Sequence, residues 1–212
     1  MRAGRAERGR QARKERRDRV EELAGVMTAP EVPLVWRAGW RGRVTGAVIC
    51  AVFVALTEHP AEASLAHPQP GALLYALWTS LVVGFPCCWF ALWRVTADRD
   101  GVYIRRLWST RLLPWSTITR VEMRRDGQLE FFGRTPEPMA GFFAPPWMSR
   151  VARSDRGSRA ADTLSAMALH GDLRPTARVE RGLTGTGLAP WIILLGVVLY
   201  LAVEFLPHWP LA

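Results

Sequence analysis

The sequence predicts an α+β membrane protein: a transmembrane helical hairpin, a cytoplasmic β-rich barrel or sandwich ending in a helix, and a third transmembrane helix. Three observations carry this. Hydrophobic residues make up 49% of the 212 and collect in three blocks. The 28 basic residues all fall in two segments, 1–43 and 94–181, outside those blocks. The second of these segments holds short alternating stretches punctuated by turn residues, the pattern of strands.

Residues 1–43 are a basic arm. Arg5 to Glu22 is rich in Arg, Ala and Glu, a composition compatible with a solvated helix but with few apolar residues to stabilise one, so helix and disorder both stand. Pro30 and Pro33 would end any helix there. Trp36 and Trp40 are interleaved with Arg37, Arg41 and Arg43, a pairing suited to a membrane–water boundary. The first apolar block begins only at Val44, beyond the first 30 or so residues that hold a signal peptide's apolar core, so a cleavable signal peptide is not expected.

Block one, 44–57, is short against the roughly 20 residues of a full span; snorkelling Arg41 and Arg43 would extend it. Block two, 71–93, is uncharged throughout, with Gly84 and Pro86 predicting a kink. Block three is expected to form a helix over 190–206, which at 1.5 Å per residue covers about 25 Å. Arginine-rich loops stay cytoplasmic, and both basic segments can do so only if two spans separate them. Blocks one and two then form a hairpin with 58–70 outside. Block three crosses again, through a linker at 179–189, and leaves a tail at 207–212 outside.

Residues 94–178 form the central domain. A four-residue turn, Asp98-Arg99-Asp100-Gly101, pairs Ala97 with Val102 and Val95 with Ile104, all apolar on one face. For the turn at Asp126-Gly127, a three-residue loop from Arg125 to Gly127 keeps the faces consistent. It sets Met123 opposite Leu129 and Val121 opposite Phe131, and gives Gly127 the left-handed conformation of a bulged hairpin. Phe142, Phe143 and Trp147 are expected to close the later part, where Pro136, Pro138, Pro145 and Pro146 blur the strand pattern. Ser158 to Leu169 predicts a helix capped by Ser158 and ended by Gly171, with Ala161, Leu164 and Ala168 on one face.

The stretch from Trp93 to Arg134 resembles bacterial PH-like domains, and is most similar to those of actinobacterial membrane proteins of the low-molecular-weight-antigen type. The resemblance rests on T-A-D-x-x-G-V at Thr96–Val102, R-x-L-P-W-x-x-I at Arg111–Ile118, the following Val121, and a hydrophobic hairpin just before. The third span departs from that pattern. The resemblance implies a curved barrel of two packed sheets closed by a C-terminal helix; it implies no catalytic motif, and a ligand does not transfer by fold alone.

The residues themselves carry no GxSxG, P-loop or HExxH signature, and Gly182, Gly185 and Gly187 have the wrong spacing for a dinucleotide loop. No enzyme activity and no cofactor are expected. The three cysteines, Cys50, Cys87 and Cys88, lie in apolar blocks without a CxxC, and read as buried free thiols. His170 reads as solvated. His59, His67 and His208, with Glu58, Glu62 and Glu204, fall on the outer side; a metal or proton-sensing cluster there would need scattered positions to converge, and no metal site is expected.

Trp115, Val121, Met123, Leu129 and Phe131 are the expected structural core. Arg105, Arg106, Arg111, Arg124 and Arg125 are candidates for holding an anionic lipid head group or an acidic patch on a protein partner. The N-terminal arm reads as a topology signal that also binds anionic lipid, or as a partner-docking segment; nucleic acid is the weakest reading, for want of interleaved aromatics. The expectation is therefore a non-enzymatic, multi-pass protein of the cytoplasmic membrane. Its domain would recruit or assemble protein partners, a second copy of itself, or anionic lipid at the cytoplasmic face. The alternative is an accessory subunit of a membrane transport or cell-envelope complex, recognised through its spans.

Overall fold

A computed structural model describes residues 2–57, 65, 68–134, 137–140, 143, 156–179 and 186–205. The chain divides into two compact units. One is built from Met1–Trp36, Val95–Ile104 and Arg111–Thr184, the other from Arg37–Arg94, Arg105–Thr110 and Gly185–Ala212.

The first unit contains helix α1 (Arg2–Val26) and strand β1 (Leu34–Arg37). Strands β2 (Arg94–Ala97), β3 (Gly101–Arg105) and β4 (Thr110–Pro114) complete a four-stranded sheet in the order β1-β2-β3-β4. A single turn of 3-10 helix, Trp115–Thr117, leads into β5 (Ile118–Met123), which with β6 (Leu129–Gly133) and β7 (Glu137–Ala140) makes a three-stranded sheet. Helix α4 (Arg156–Leu169) packs on β5.

Both hairpin registers are those that the sequence predicts: Ala97 pairs with Val102 and Val95 with Ile104, while Met123 pairs with Leu129 and Val121 with Phe131. Period-2 alternation fixes such a register because a one-residue slip would move every core side chain to the wet face. Gly127 takes a φ of 89°, the left-handed conformation that only glycine adopts without strain. Val95, Ala97, Val102, Val121, Leu129, Phe131 and Leu164 have almost no solvent exposure and form the core.

Two features of this unit differ from the sequence reading, and a third settles an alternative it left open. Leu34–Arg37, read as part of an interfacial arm, is an edge strand, because its β-branched and aromatic residues follow two prolines and pair with β2. α4 begins at Arg156, so Ser158 lies inside the first turn rather than at the cap. The arm before Val26 is helical, stabilised by docking rather than by propensity: Val20 is buried with Ala166 and Leu173, and Ala24 and Met27 pack around them. Phe143 is buried; Phe142, Trp147 and most of the proline-rich stretch lie outside the described residues.

The second unit holds α2 (Trp40–Leu56), α3 (Pro70–Leu92) and α5 (Ala189–Phe205). α3 runs unbroken through Pro86 and is packed against both of the others, which touch each other little. By length and composition α3 could cross a membrane; α5 is a shorter apolar helix of 17 residues, and α2 also has 17, with Arg41 and Arg43 in its first turns. Helix crossings are made by small residues. A Cβ on Gly46 would lie 3.2 Å from the Cys87 carbonyl oxygen, one on Gly42 2.7 Å from that of Phe90, and one on Gly84 3.3 Å from that of Ile192. The side chains turned outward are large and apolar, among them Leu74, Trp78, Val82 and Phe85 on α3 and Ile193, Val197 and Leu201 on α5.

Candidate functional site

The β2–β3 turn is organised by Asp98, whose side chain has no solvent exposure. One carboxylate oxygen accepts the N–H groups of Asp100 (2.8 Å) and Gly101 (3.0 Å), an Asx turn. The other accepts the N–H of Val179 (2.9 Å), 81 positions away in sequence. The Asp98 carbonyl accepts the indole N–H of Trp115 (2.9 Å), and the Arg174 guanidinium lies 5.5 Å from the centre of the Trp115 ring. Arg174 also donates to the Met167 carbonyl (3.0 Å) at the end of α4, and Arg178 pairs with Asp100 at 3.0 Å. Asp98 thus ties three elements together, its buried carboxylate holding the turn and the segment after α4 through three backbone donors and its carbonyl holding the tryptophan. Asp98 and Trp115 both lie in the stretches that carry the family resemblance. The sequence reading assigned Asp98 to the turn and missed its role; the signal was the Asx-turn pattern of an aspartate two and three residues before the N–H groups it binds.

A second cluster forms around Arg16 of α1. Its guanidinium lies 3.2 Å from Glu122 and 3.7 Å from Asp162, and donates to the Val121 carbonyl. The Ser165 hydroxyl accepts the Val121 N–H (3.0 Å). β5 is an outer strand of its sheet, so these two side chains occupy polar groups that an unprotected edge would offer to another chain.

The candidate arginines lie on different elements. Arg111 stands exposed on β4 of the four-stranded sheet, while Arg124 and Arg125 lie in the loop between β5 and β6. Arg124 pairs with Asp126 at 3.3 Å. Nearby Arg120 pairs with Glu122 (3.3 Å) and lies 4.3 Å from the centre of the Phe132 ring. Arg105 and Arg106 belong to the helical unit. Arg105 donates to the carbonyls of Thr186 (2.9 Å) and Leu92 (3.2 Å), and burial, reinforced by the positive charge of Arg94, pulls its ionisation below the usual guanidinium range. The carbonyls of Arg106 and Leu107 accept the N–H groups of Leu188 (2.9 Å) and Ala189 (2.6 Å), capping the start of α5. These two residues therefore build helix ends, which a reading from charge alone does not reveal.

Among the expected core residues, Trp115 retains 4% exposure; Val121, Leu129 and Phe131 are buried and Met123 is half-buried. The three cysteines are free thiols, Cys50 half-buried and the others buried. His170 is exposed; His59, His67, His208, Glu58 and Glu62 lie outside the described residues. Among the described residues no group of three or more His, Cys, Asp or Glu side chains could hold a metal ion.

Residues 93–170 match the family model described as Bacterial PH domain. The protein carries a PH-like domain, and a domain of that class suggests a binding module. The match leaves α2, α3 and α5 outside it. No curated protein and no solved structure matches the chain.

Proposed function

We propose that the chain is a non-enzymatic, multi-pass protein of the cytoplasmic membrane whose PH-like domain faces the cytoplasm and recruits or assembles a protein partner there. The observation that carries the reading is the inside-out arrangement of the helical unit. On α3 the buried residues are alanine, serine, glycine and cysteine, while Leu74, Trp78, Val82 and Phe85 point outward. Water penalises such a surface; lipid does not, and helices in lipid associate through small residues that let backbones approach. Charge supports the orientation, with arginine on both sides of the α2–α3 pair and none in 58–70.

A protein partner is favoured over lipid at the domain because Arg120 and Arg124 are already paired with Glu122 and Asp126, whereas a phosphate pocket needs uncommitted donors. A second reading, an accessory subunit of a membrane transport or cell-envelope complex, draws on the α3 stripe of Leu74, Trp78, Val82 and Phe85, which another helix could cover as well as lipid.

The test is labelling with a membrane-impermeant thiol reagent. Ser64→Cys should react in intact cells and Asp172→Cys only after permeabilisation. Labelling of Asp172→Cys alone in intact cells, or release of the chain by alkaline carbonate, would overturn the reading.

A further inference from the structure

We propose that the groove between α2 and α5 is a binding site for one anionic phospholipid, which lays an acyl chain against the apolar wall and sets its phosphate on Arg43. The inference rests on the membrane reading above and adds a ligand to it.

α2 and α5 flank α3 but scarcely meet, and between them lies a cavity of about 380 Å³. That volume falls in the range of roughly 300–1,000 Å³ typical of small-molecule sites. Gly46, Ala47 and Cys50 line it from α2, Cys87 from α3, and Trp191 and Val198 from α5. The α2 side is open because its residues there are small; at Gly46 a Cβ would already sit tightly, 3.2 Å from the Cys87 carbonyl oxygen. Carbon and thiol make up this wall. The Cys50 and Cys87 sulfurs lie 3.3 Å apart, and thiols are weak hydrogen-bonding groups that behave as small hydrophobes. Water gains little from such a surface, and an acyl chain supplies the missing dispersion contacts.

The one charged group in the lining is Arg43, one turn from the start of α2. Its guanidinium is exposed and makes no hydrogen bond or ion pair among the described residues. A planar guanidinium fits a phosphate with two parallel hydrogen bonds. Basic pockets between spans at the cytoplasmic side suit anionic head groups. An apolar trough with a single cation at its end favours an anionic phospholipid, whose net charge it offsets, over a zwitterionic one, whose phosphate is already offset by its own ammonium group.

The experiment uses the full chain purified from carbonate-washed membranes in mild detergent, titrated with phosphatidylglycerol or phosphatidylcholine and read by native mass spectrometry. One phosphatidylglycerol should be retained in preference to phosphatidylcholine. Arg43→Gln should weaken that retention about fivefold, the value of one near-surface basic residue. Ala47→Phe and Val198→Phe fill the groove from opposite walls and should each abolish it, whereas Val82→Phe on the outer face of α3 should not. Bound phosphatidylglycerol should also slow modification of Cys50 by N-ethylmaleimide. Equal retention of the two lipids, retention of a fatty acid in place of a phospholipid, or indifference to all three groove variants would overturn the inference. A chain that stays in carbonate-washed membranes yet retains no phosphatidylglycerol overturns this inference alone, whereas a chain released by carbonate overturns the membrane reading first.

Discussion

The two units of this chain differ in what their seams bury. In the PH-like unit the large apolar side chains Val95, Val102, Val121, Leu129, Phe131, Leu164 and Met167 have almost no exposure, and Arg111 and Arg125 are exposed. On α3 of the helical unit Ala76, Ser80, Gly84, Cys87 and Cys88 are inside and Leu74, Trp78, Val82 and Phe85 are outside, with Leu73, Leu77, Leu81 and Trp89 half-buried between them; α5 adds Ile192 and Leu199 to the interior, but crosses α3 at Gly196. Such a difference is what an aqueous and an apolar environment would each favour. Water rewards burial of large apolar groups. Where the surroundings are apolar that reward vanishes, and close backbone approach takes its place.

The comparison predicts that large-to-small changes hurt the first unit and small-to-large changes hurt the second. The largest effect is expected from Trp115→Ala, which deletes a buried ring, its hydrogen bond to Asp98 and the contact with Arg174. A loss of about 3–5 kcal/mol should appear as a lowered unfolding midpoint of the domain in full-length protein. An unchanged midpoint would mean that the ring is not a core element. Asp98→Asn keeps the volume but turns an amide N–H₂ toward one or more backbone donors, and should cost about 2–3 kcal/mol. The clearest sign would be earlier proteolysis around Val179, since that segment loses its anchor.

How much of this was legible in the sequence follows from the range of the interactions. The two hairpins were readable to the register because alternation and turn chemistry act over a few residues, and Gly127 announces its own conformation. The apolar helices were readable to within a few residues because the blocks are long. The hub at Asp98 was not, because its defining partner, Val179, is remote in sequence and a turn aspartate looks the same whether buried or wet. Docking of α1 was hidden for a related reason: a helix so rich in charge has little apolar signal, and Val20 with Arg16 holds it only once α4 and β5 are in place. The hydrogen bonds of the Arg105 side chain and the Arg106 carbonyl at helix ends were hidden because charge is visible in a sequence and helix capping by remote residues is not.

In the helical unit Gly46→Leu should force α2 away from the Cys87 carbonyl and cost about 1–3 kcal/mol by overpacking. Resistance to detergent unfolding is the measurement, and Leu74→Ala on the outer face should leave it unchanged. The reverse ranking would show that the unit packs like a water-soluble bundle. Arg16→Ala tests how firmly α1 is held. Its two ion pairs are partly exposed and screened, so a loss of only about 1 kcal/mol is expected, seen as faster amide exchange in Arg16–Val26 while α4 stays protected.

The smallest effect is expected where the comparison has least purchase, at the domain's surface arginines. Arg111 stands on β4 and Arg124 and Arg125 lie in the loop between β5 and β6, where Arg124 already faces Asp126. Three convergent, desolvated arginines would contribute about 1 kcal/mol each toward an anionic surface. Dispersed, exposed ones are screened over a Debye length of about 8 Å at physiological salt. Replacing all three by Gln should therefore change capture of separate anionic vesicles by less than about threefold, when the full chain sits in neutral nanodiscs. The nanodisc keeps the spans occupied, so capture reports the domain face alone. A loss of a hundredfold or more would mean that these side chains do converge on lipid, and would transfer the domain's role from a protein partner to the membrane surface. A small loss, together with retention of a protein partner by the triple variant, leaves binding to the parts of the domain that charge does not mark.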